Sequence, residues 1–206
     1  LKACLLGDAP ACTTVAPRLE PTTASEDSRL YEQVLDLSCQ THRSPQACLT
    51  LAAFYATTFA GAGATRPPDR ARALTYLEHA CDLGSASGCF EVGNAWTAGQ
   101  AGAKDLRKAR QAFGAACDGG ETRACVSYGV ALTEGLGGPV ALREARQVLG
   151  GACDAGTPRA CHTLAIAQIR GPEAERDYAL AYRHFGGACA EGIADACNAA
   201  NVMLAR

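Results

Sequence analysis

The chain has 206 residues, 48% of them hydrophobic and 19% charged, with a formal net charge of −2. That length suits one compact domain or a short repeat array, and the composition excludes disordered, collagen-like and acidic-tail classes. Near-neutral charge offers no phosphate-tracking surface, so a nucleic acid partner is not expected. The most apolar stretch, 49–64, is short, carries three threonines and ends in Gly-rich sequence, so no transmembrane segment is expected. No signal peptide is visible, and Leu1 stands three residues before a cysteine, which reads as a mature fragment whose leader has been removed.

Twelve cysteines organise the rest. They pair along the chain as Cys4 and Cys12, Cys39 and Cys48, Cys81 and Cys89, Cys117 and Cys125, Cys153 and Cys161, and Cys189 and Cys197. Five pairs are eight positions apart and one is nine, and from Cys81 onward the first members recur every 36 residues. A fixed period of this size marks a stacked repeat array.

In chain order, residues 1–26 read as a partial repeat around Cys4, Gly7 and Cys12, followed by a Ser/Thr-rich loop that Pro17 and Pro21 keep from being helical. Residues 27–206 read as the full array. Upstream of each first cysteine runs an amphipathic helix. Asp27, Asp69, Asp105 and Asp177 stand at its N-cap, while Ala141 gives one helix a weaker start. Ala73, Ala109, Ala145 and Ala181 share a face with Leu77, Phe113, Leu149 and Phe185, a small residue followed by a large one four positions on.

Five linkers then carry glycine three residues after the first cysteine (Gly7, Gly84, Gly120, Gly156, Gly192), the usual left-handed helix stop. The linker from Cys39 to Cys48 is one residue longer and has His42 there. A second helix follows each second cysteine. Its core positions are Leu51-Ala52, Val92-Gly93, Tyr128-Gly129 and Leu164-Ala165, then Tyr55, Trp96, Leu132 and Gln168, before Gly99, Gly135 or Gly171 ends it. An inserted loop lies around 61–68. The pattern predicts an all-α solenoid of antiparallel helix pairs, about 36 residues per repeat.

Cysteines at the end of one helix and the start of the next can meet across the turn. Structural zinc uses cysteines two to four apart or Cys/His mixtures, and no histidine recurs in register. Disulfides are therefore expected and a metal site is not. Connectivity is not fixed by spacing, but only nearest-neighbour pairing repeats. Six persistent disulfides imply an oxidising compartment, periplasmic or extracellular.

A search for chemistry finds no Ser-x-x-Lys, phosphate loop, dinucleotide fingerprint or His-Glu-x-x-His, so no catalytic residue and no cofactor are expected. Gly84-Ser-Ala-Ser-Gly88 has Ala86 where a nucleophile elbow needs serine, and reads as a turn inside a cysteine pair. His162 beside a bridged Cys161 has no thiolate to activate. His79 and His184 suit helix C-termini, and His42 occupies the longer turn.

Cys125-Val-Ser-Tyr128-Gly129-Val-Ala-Leu132-Thr-Glu-Gly135, Asp105-Leu-Arg-Lys108-Ala109 and Ala116-Cys117-Asp118-x-Gly120 together resemble the Sel-one-like repeat, a relative of the tetratricopeptide repeat. The form is that of the Helicobacter cysteine-rich protein family. The resemblance implies a right-handed superhelix of disulfide-clipped helix pairs with a concave surface lined by the helices that follow the second cysteines. Positions on those helices that vary between repeats are then the candidate binding surface: Phe90, Glu91, Asn94, Ser127, Glu134, His162, Thr163 and Arg170. Their mixed chemistry suits a protein or peptide partner. The resemblance further implies a scaffold, adaptor or inhibitor, including immunity proteins against secreted toxins. Its alternative is a weak β-lactam-hydrolysing or peptidoglycan-fragment-binding protein.

Overall fold

The computed structural model describes residues 25–57, 59–61, 64–100 and 102–205. Cys4, Gly7 and Cys12, with the expected partial repeat as far as residue 24, lie outside the described residues. The chain folds as an α-solenoid of helix pairs. The pairs are α1 (Ser25–Gln40) with α2 (Pro45–Ala56), α3 (Arg70–Asp82) with α4 (Ala86–Ala98), α5 (Leu106–Asp118) with α6 (Thr122–Glu134), α7 (Leu142–Asp154) with α8 (Pro158–Ile169), and α9 (Tyr178–Ala190) with α10 (Ala194–Leu204). Two compact units divide at Lys104 and Asp105, α1 to α4 falling in the first and α5 to α10 in the second. Among the described residues no helix is long and apolar enough to cross a membrane.

The turn inside each pair is built the same way. After α3, Gly84 takes φ +86°, its N–H donates to the Cys81 carbonyl at 2.8 Å, and Ser85 N–H reaches back to the Ala80 carbonyl at 2.9 Å. This Schellman closure satisfies the last carbonyls of one helix. The residue that closes it is at once the N-cap of the next helix. Gly120 with Glu121, Gly156 with Thr157 and Gly192 with Ile193 repeat the geometry, each reach-back bond at 2.9–3.1 Å. The longer linker differs as its extra residue requires: the left-handed conformation falls on Arg43 (φ +53°), not on His42.

This turn places one cysteine in the last turn of the first helix and the other in the second turn of the next. Five disulfides result among the described residues, with Cα–Cα distances of 4.5–4.8 Å: Cys39–Cys48, Cys81–Cys89, Cys117–Cys125, Cys153–Cys161 and Cys189–Cys197.

Helix starts follow the expected chemistry in part. Asp69, Asp105 and Asp177 each accept a first-turn amide at 2.8–3.0 Å, and Ala141 caps nothing. Asp27 is not at the N-cap position: α1 begins earlier, at Ser25, and includes it. The inserted segment is more ordered than a loop. Its strands β1 (Phe59–Gly61) and β2 (Ala64–Arg66) form an antiparallel hairpin, Phe59 opposite Arg66. Strands this short leave no alternation to read in the sequence.

Packing between pairs uses the small-then-large rule. In unit 2, Ala145, Leu149, Ala181 and Phe185 are all at most 1% exposed. Leu149 lies against Gly129 so closely that a Cβ there would run into its side chain. Unit 1 has an aromatic core instead. Tyr31, Phe54, Tyr55 and Tyr76 contact in sequence with centroids 5.4–5.7 Å apart, Tyr55 and Tyr76 lying nearly parallel. Tyr55 is buried as expected, whereas Trp96 at the same repeat position is half-buried.

Complete reduction should destabilise the chain strongly, each clip contributing about 2–3 kcal/mol in the chain-entropy account. In graded reduction with alkylation and mass spectrometry, Cys39–Cys48 should open last, since its sulfurs' residues are 2% and 0% exposed. Glycines of unit 2 play opposite roles. A Cβ on Gly150, Gly151, Gly186 or Gly187 would meet nothing within 4 Å. Alanine at any of these helical sites should add about 0.5–1 kcal/mol, whereas Gly129→Ala should cost about 1–3 kcal/mol by overpacking. Urea midpoints distinguish the two.

Candidate functional site

The eight candidate surface residues divide between the units. Phe90, Glu91 and Asn94 lie on α4 in unit 1, where Glu91 is exposed and Asn94 Nδ2 lies 3.4 Å from Glu91 Oε2. Phe90 is half-buried. Of the other five, all in unit 2, Ser127 and Glu134 lie on α6, His162 and Thr163 on α8, and Arg170 is the residue that ends α8. Ser127 turns its hydroxyl back to the Arg123 carbonyl at 3.2 Å. Thr163 is buried and donates to the Arg159 carbonyl at 2.9 Å, so it offers nothing to a partner. His162 packs its ring on Phe185, centroids 5.6 Å apart.

Glu134 and Arg170 do come together. They occupy the same repeat position 36 residues apart, and Arg170 Nη2 lies 2.9 Å from Glu134 Oε1. Arg170 Nη1 also donates to the Thr133 carbonyl at 3.2 Å, so one guanidinium ties the C-terminal ends of α6 and α8. Both side chains are near two-fifths exposed, which limits the pair to about 0–1 kcal/mol.

Sequence reasoning missed a second set of arginines. Arg146 on α7 donates to the Ala167 and Arg170 carbonyls at 3.0 and 3.2 Å, closing the end of α8. Arg110, 36 residues earlier on α5, donates to the Pro139 carbonyl at 2.8 Å in the turn after α6. The signal was present: both arginines stand seven positions before a first cysteine. Leu74 and Tyr182 hold that position in other repeats.

A polar layer beside the aromatic core of unit 1 was also missed. Tyr55 donates to Glu32 and receives Arg72 Nη1 at 3.2 Å, while Tyr76 donates to Asp36 at 2.8 Å. Burial first, then the carboxylate hydrogen bonds, pushes both phenols above their ordinary value. Raised phenols with their protons committed to carboxylates are poor bases and nucleophiles. This layer fixes α1, α2 and α3 together. Among the described residues no three His, Cys, Asp or Glu side chains gather as metal ligands.

An apolar concavity of unit 2 lies between α8, α9 and α10. It encloses about 640 Å³ and is lined by Ile169, Tyr178, Phe185, Asn198, Ala199, Val202 and Met203. None of these residues is among the eight candidates, because position-by-position comparison of repeats cannot register a gap between helices.

Two histidines give unit 2 an acid sensitivity. Burial holds the imidazoles of His162 and His184 below the usual value of 6.5. His184 Nδ1 also lies 3.0 Å from Gln168 Oε1. Below pH 6.5 the unfolded chain therefore binds protons that the fold excludes, and stability declines as pH falls from that point. Replacing both histidines by glutamine should flatten the slope of the urea midpoint between about pH 7 and pH 5.

No family model matches the sequence, and no curated protein matches it. Solved structures do. A Sel1 repeat protein from Oxalobacter formigenes is similar at 19% identity and TM-score 0.65, over 83% of this chain and 69% of that one. A protective antigen of uropathogenic Escherichia coli strains displaying an SLR fold is similar at 21% identity and TM-score 0.67, over 93% of this chain. This chain spans 40% of that antigen's length. The cysteine-rich protein B of Helicobacter pylori is 25% identical over 69% of this chain and 98% of that one, at TM-score 0.47. On the first two likenesses, which cover both units, the chain has the Sel1-like repeat fold.

Proposed function

We propose that this chain is a non-enzymatic binding solenoid that holds another protein or a peptide, as scaffold, adaptor or inhibitor, in the periplasm or outside the cell. Residues 27–206 form its repeat array. The observation that carries the proposal is a division of labour within the repeat. Turn glycine, cysteine pair, small residue and large residue are repeated and consumed by packing, while Glu91, Asn94, Glu134 and Arg170 change in chemistry from repeat to repeat on one framework. Variable positions carried on disulfide-clipped helix pairs lose little conformational entropy on association. Five disulfides among the described residues support the oxidising compartment, since such bonds persist there and not in a reducing cytosol.

The test is capture from an envelope extract on the immobilised oxidised chain. Two variants serve as controls: Glu91→Lys with Asn94→Lys in unit 1, and the exchange Glu134→Arg with Arg170→Glu in unit 2, which keeps an ion pair but inverts its polarity. A protein retained in stoichiometric amount by the native chain, and at least about tenfold less by one variant, is expected (about 1.4 kcal/mol). Equal retention by all three overturns the surface assignment. No retained protein, together with turnover of a chromogenic β-lactam, would replace the proposal by the enzymatic alternative.

A further inference from the structure

The turns after α6 and α8 hold the same repeat position in unit 2 and differ in chemistry. Residues 172–177, after α8, are Pro-Glu-Ala-Glu-Arg-Asp, four of them charged. The matching residues 136–141, after α6, are Leu-Gly-Gly-Pro-Val-Ala and carry no charge. Leu136 and Val140 are 41% and 56% exposed, and Leu106, the first residue of α5, is 38% exposed. These side chains belong to one surface, because the turn sits directly on α5. A Cβ on Gly137 would strike the Leu106 carbonyl, and Arg110 donates to the Pro139 carbonyl at 2.8 Å. Exposed apolar side chains scattered singly need no explanation, but gathered in one place they mark a contact site.

Cations border this patch. α5 opens with Arg107 and Lys108, both exposed, where α7 has Arg143 and Glu144 and α9 has Ala179 and Leu180. Arg107 lines a concavity of about 730 Å³ with Asp105, Gly137, Gly138 and Pro139. The Asp105 carboxylate accepts the Arg107 and Lys108 amides at 3.0 Å, so it is committed to capping α5. Glu134 and Glu144, on either side of the turn in sequence, are engaged by Arg170 and by the Tyr128 hydroxyl. Among the described residues no carboxylate lies within 4.0 Å of the Arg107 guanidinium. The charge left without a counter-ion beside the apolar turn is therefore positive.

We infer that the face formed by Leu106, Arg107, Leu136, Pro139 and Val140 receives an acidic segment of a partner polypeptide that also carries large apolar side chains. A carboxylate of the segment pairs with Arg107, and its apolar side chains cover Leu106, Leu136 and Val140. Gly137 and Gly138 place no side chain over the concavity, so the segment's main chain can approach closely. A chain segment suits this face better than an anionic bilayer, which is held by a broader cluster of cations. Ala141 fits the same surface. Its backbone (φ −135°, ψ 71°) is close to that of Asp105 (φ −132°, ψ 93°), so an aspartate cap would be accommodated there, but it would set a negative charge beside the turn. This deepens the binding proposal above and rests on it.

The probe is the acetylated, amidated peptide Asp-Phe-Asp-Leu-Asp, titrated into the full oxidised chain and followed by amide NMR, with Lys-Phe-Lys-Leu-Lys as its charge-reversed twin. Saturable shifts in residues 106–110 and 135–142 are expected with the acidic peptide and none with the basic one. Arg107→Glu and Val140→Asp should each weaken binding about fivefold. Arg183→Glu, the same change of charge on α9, should leave it unaltered. Ala141→Asp should raise the urea midpoint and yet weaken binding about twofold, a combination that no general loosening of the fold produces. Equal shifts with both peptides, or binding undiminished in Arg107→Glu, would overturn the inference. So would retention by phosphatidylglycerol vesicles without peptide binding, which marks a membrane surface, or self-association in sedimentation that Val140→Asp abolishes, which assigns the face to a second copy. Envelope capture separates the two proposals. If the native chain captures a protein while the acidic peptide fails to bind, only this surface assignment fails. If the native chain captures nothing and the peptide does not bind, the binding proposal falls with it.

Discussion

Everything in this structure depends on the ring closed by each cysteine pair. A glycine in the left-handed conformation lets one helix stop and the next begin within three residues, and the disulfide holds the two helix ends against each other. The clip restricts the unfolded chain and, in the folded one, holds the two helix ends within 4.5–4.8 Å between Cα atoms. Ala-rich helices bury modest apolar area each, so a stack of them gains from connections that limit the entropy of the alternative state.

Once the hairpins are preset, the remaining problem is to stack them. The small residue four positions after the second cysteine solves it in unit 2. Gly129 and Ala165 are buried, and the large residue of the next helix, Leu149 or Phe185, belongs to the same core cluster as its repeat. Unit 1 reaches the same end with other chemistry: a line of aromatic rings in which the Tyr55 hydroxyl meets Glu32 and Arg72 and the Tyr76 hydroxyl meets Asp36. The last pair departs again. Asn201 replaces the small residue, Met203 replaces Ala131 and Ala167, and Tyr182 replaces the arginine that clasps the end of the following helix. Three changes in one repeat leave α10 with a different surface from α6 and α8.

The repeat also explains why binding residues are harder to find than structural ones. Framework residues recur, so each position is observed several times within one chain. A recognition residue is by nature different in every repeat, and variation alone does not separate a groove residue from one that closes a local hydrogen bond. Thr163 and Ser127 vary as a recognition residue would, yet each is occupied with its own helix backbone. Glu134 and Arg170 also vary, and their difference is complementary: opposite charges at one register position become neighbours when pairs stack.

From sequence alone came the period, the helix pairs, the repeating nearest-neighbour arrangement of the cysteines, the left-handed glycines and the buried small positions, whereas the large positions Leu77, Tyr128 and Trp96 are only half-buried. All of these are local or repeat every 36 residues, so backbone geometry within a turn of helix decides them. The tertiary structure alone decided which polar residues meet across repeats, as in Arg146 to Arg170 and Tyr76 to Asp36. It alone placed the left-handed residue of the long linker on Arg43, paired β1 with β2, and opened the cavity over Phe185. Those features depend on the distance between elements far apart in the chain, and on space that no side chain fills, which a linear pattern does not record.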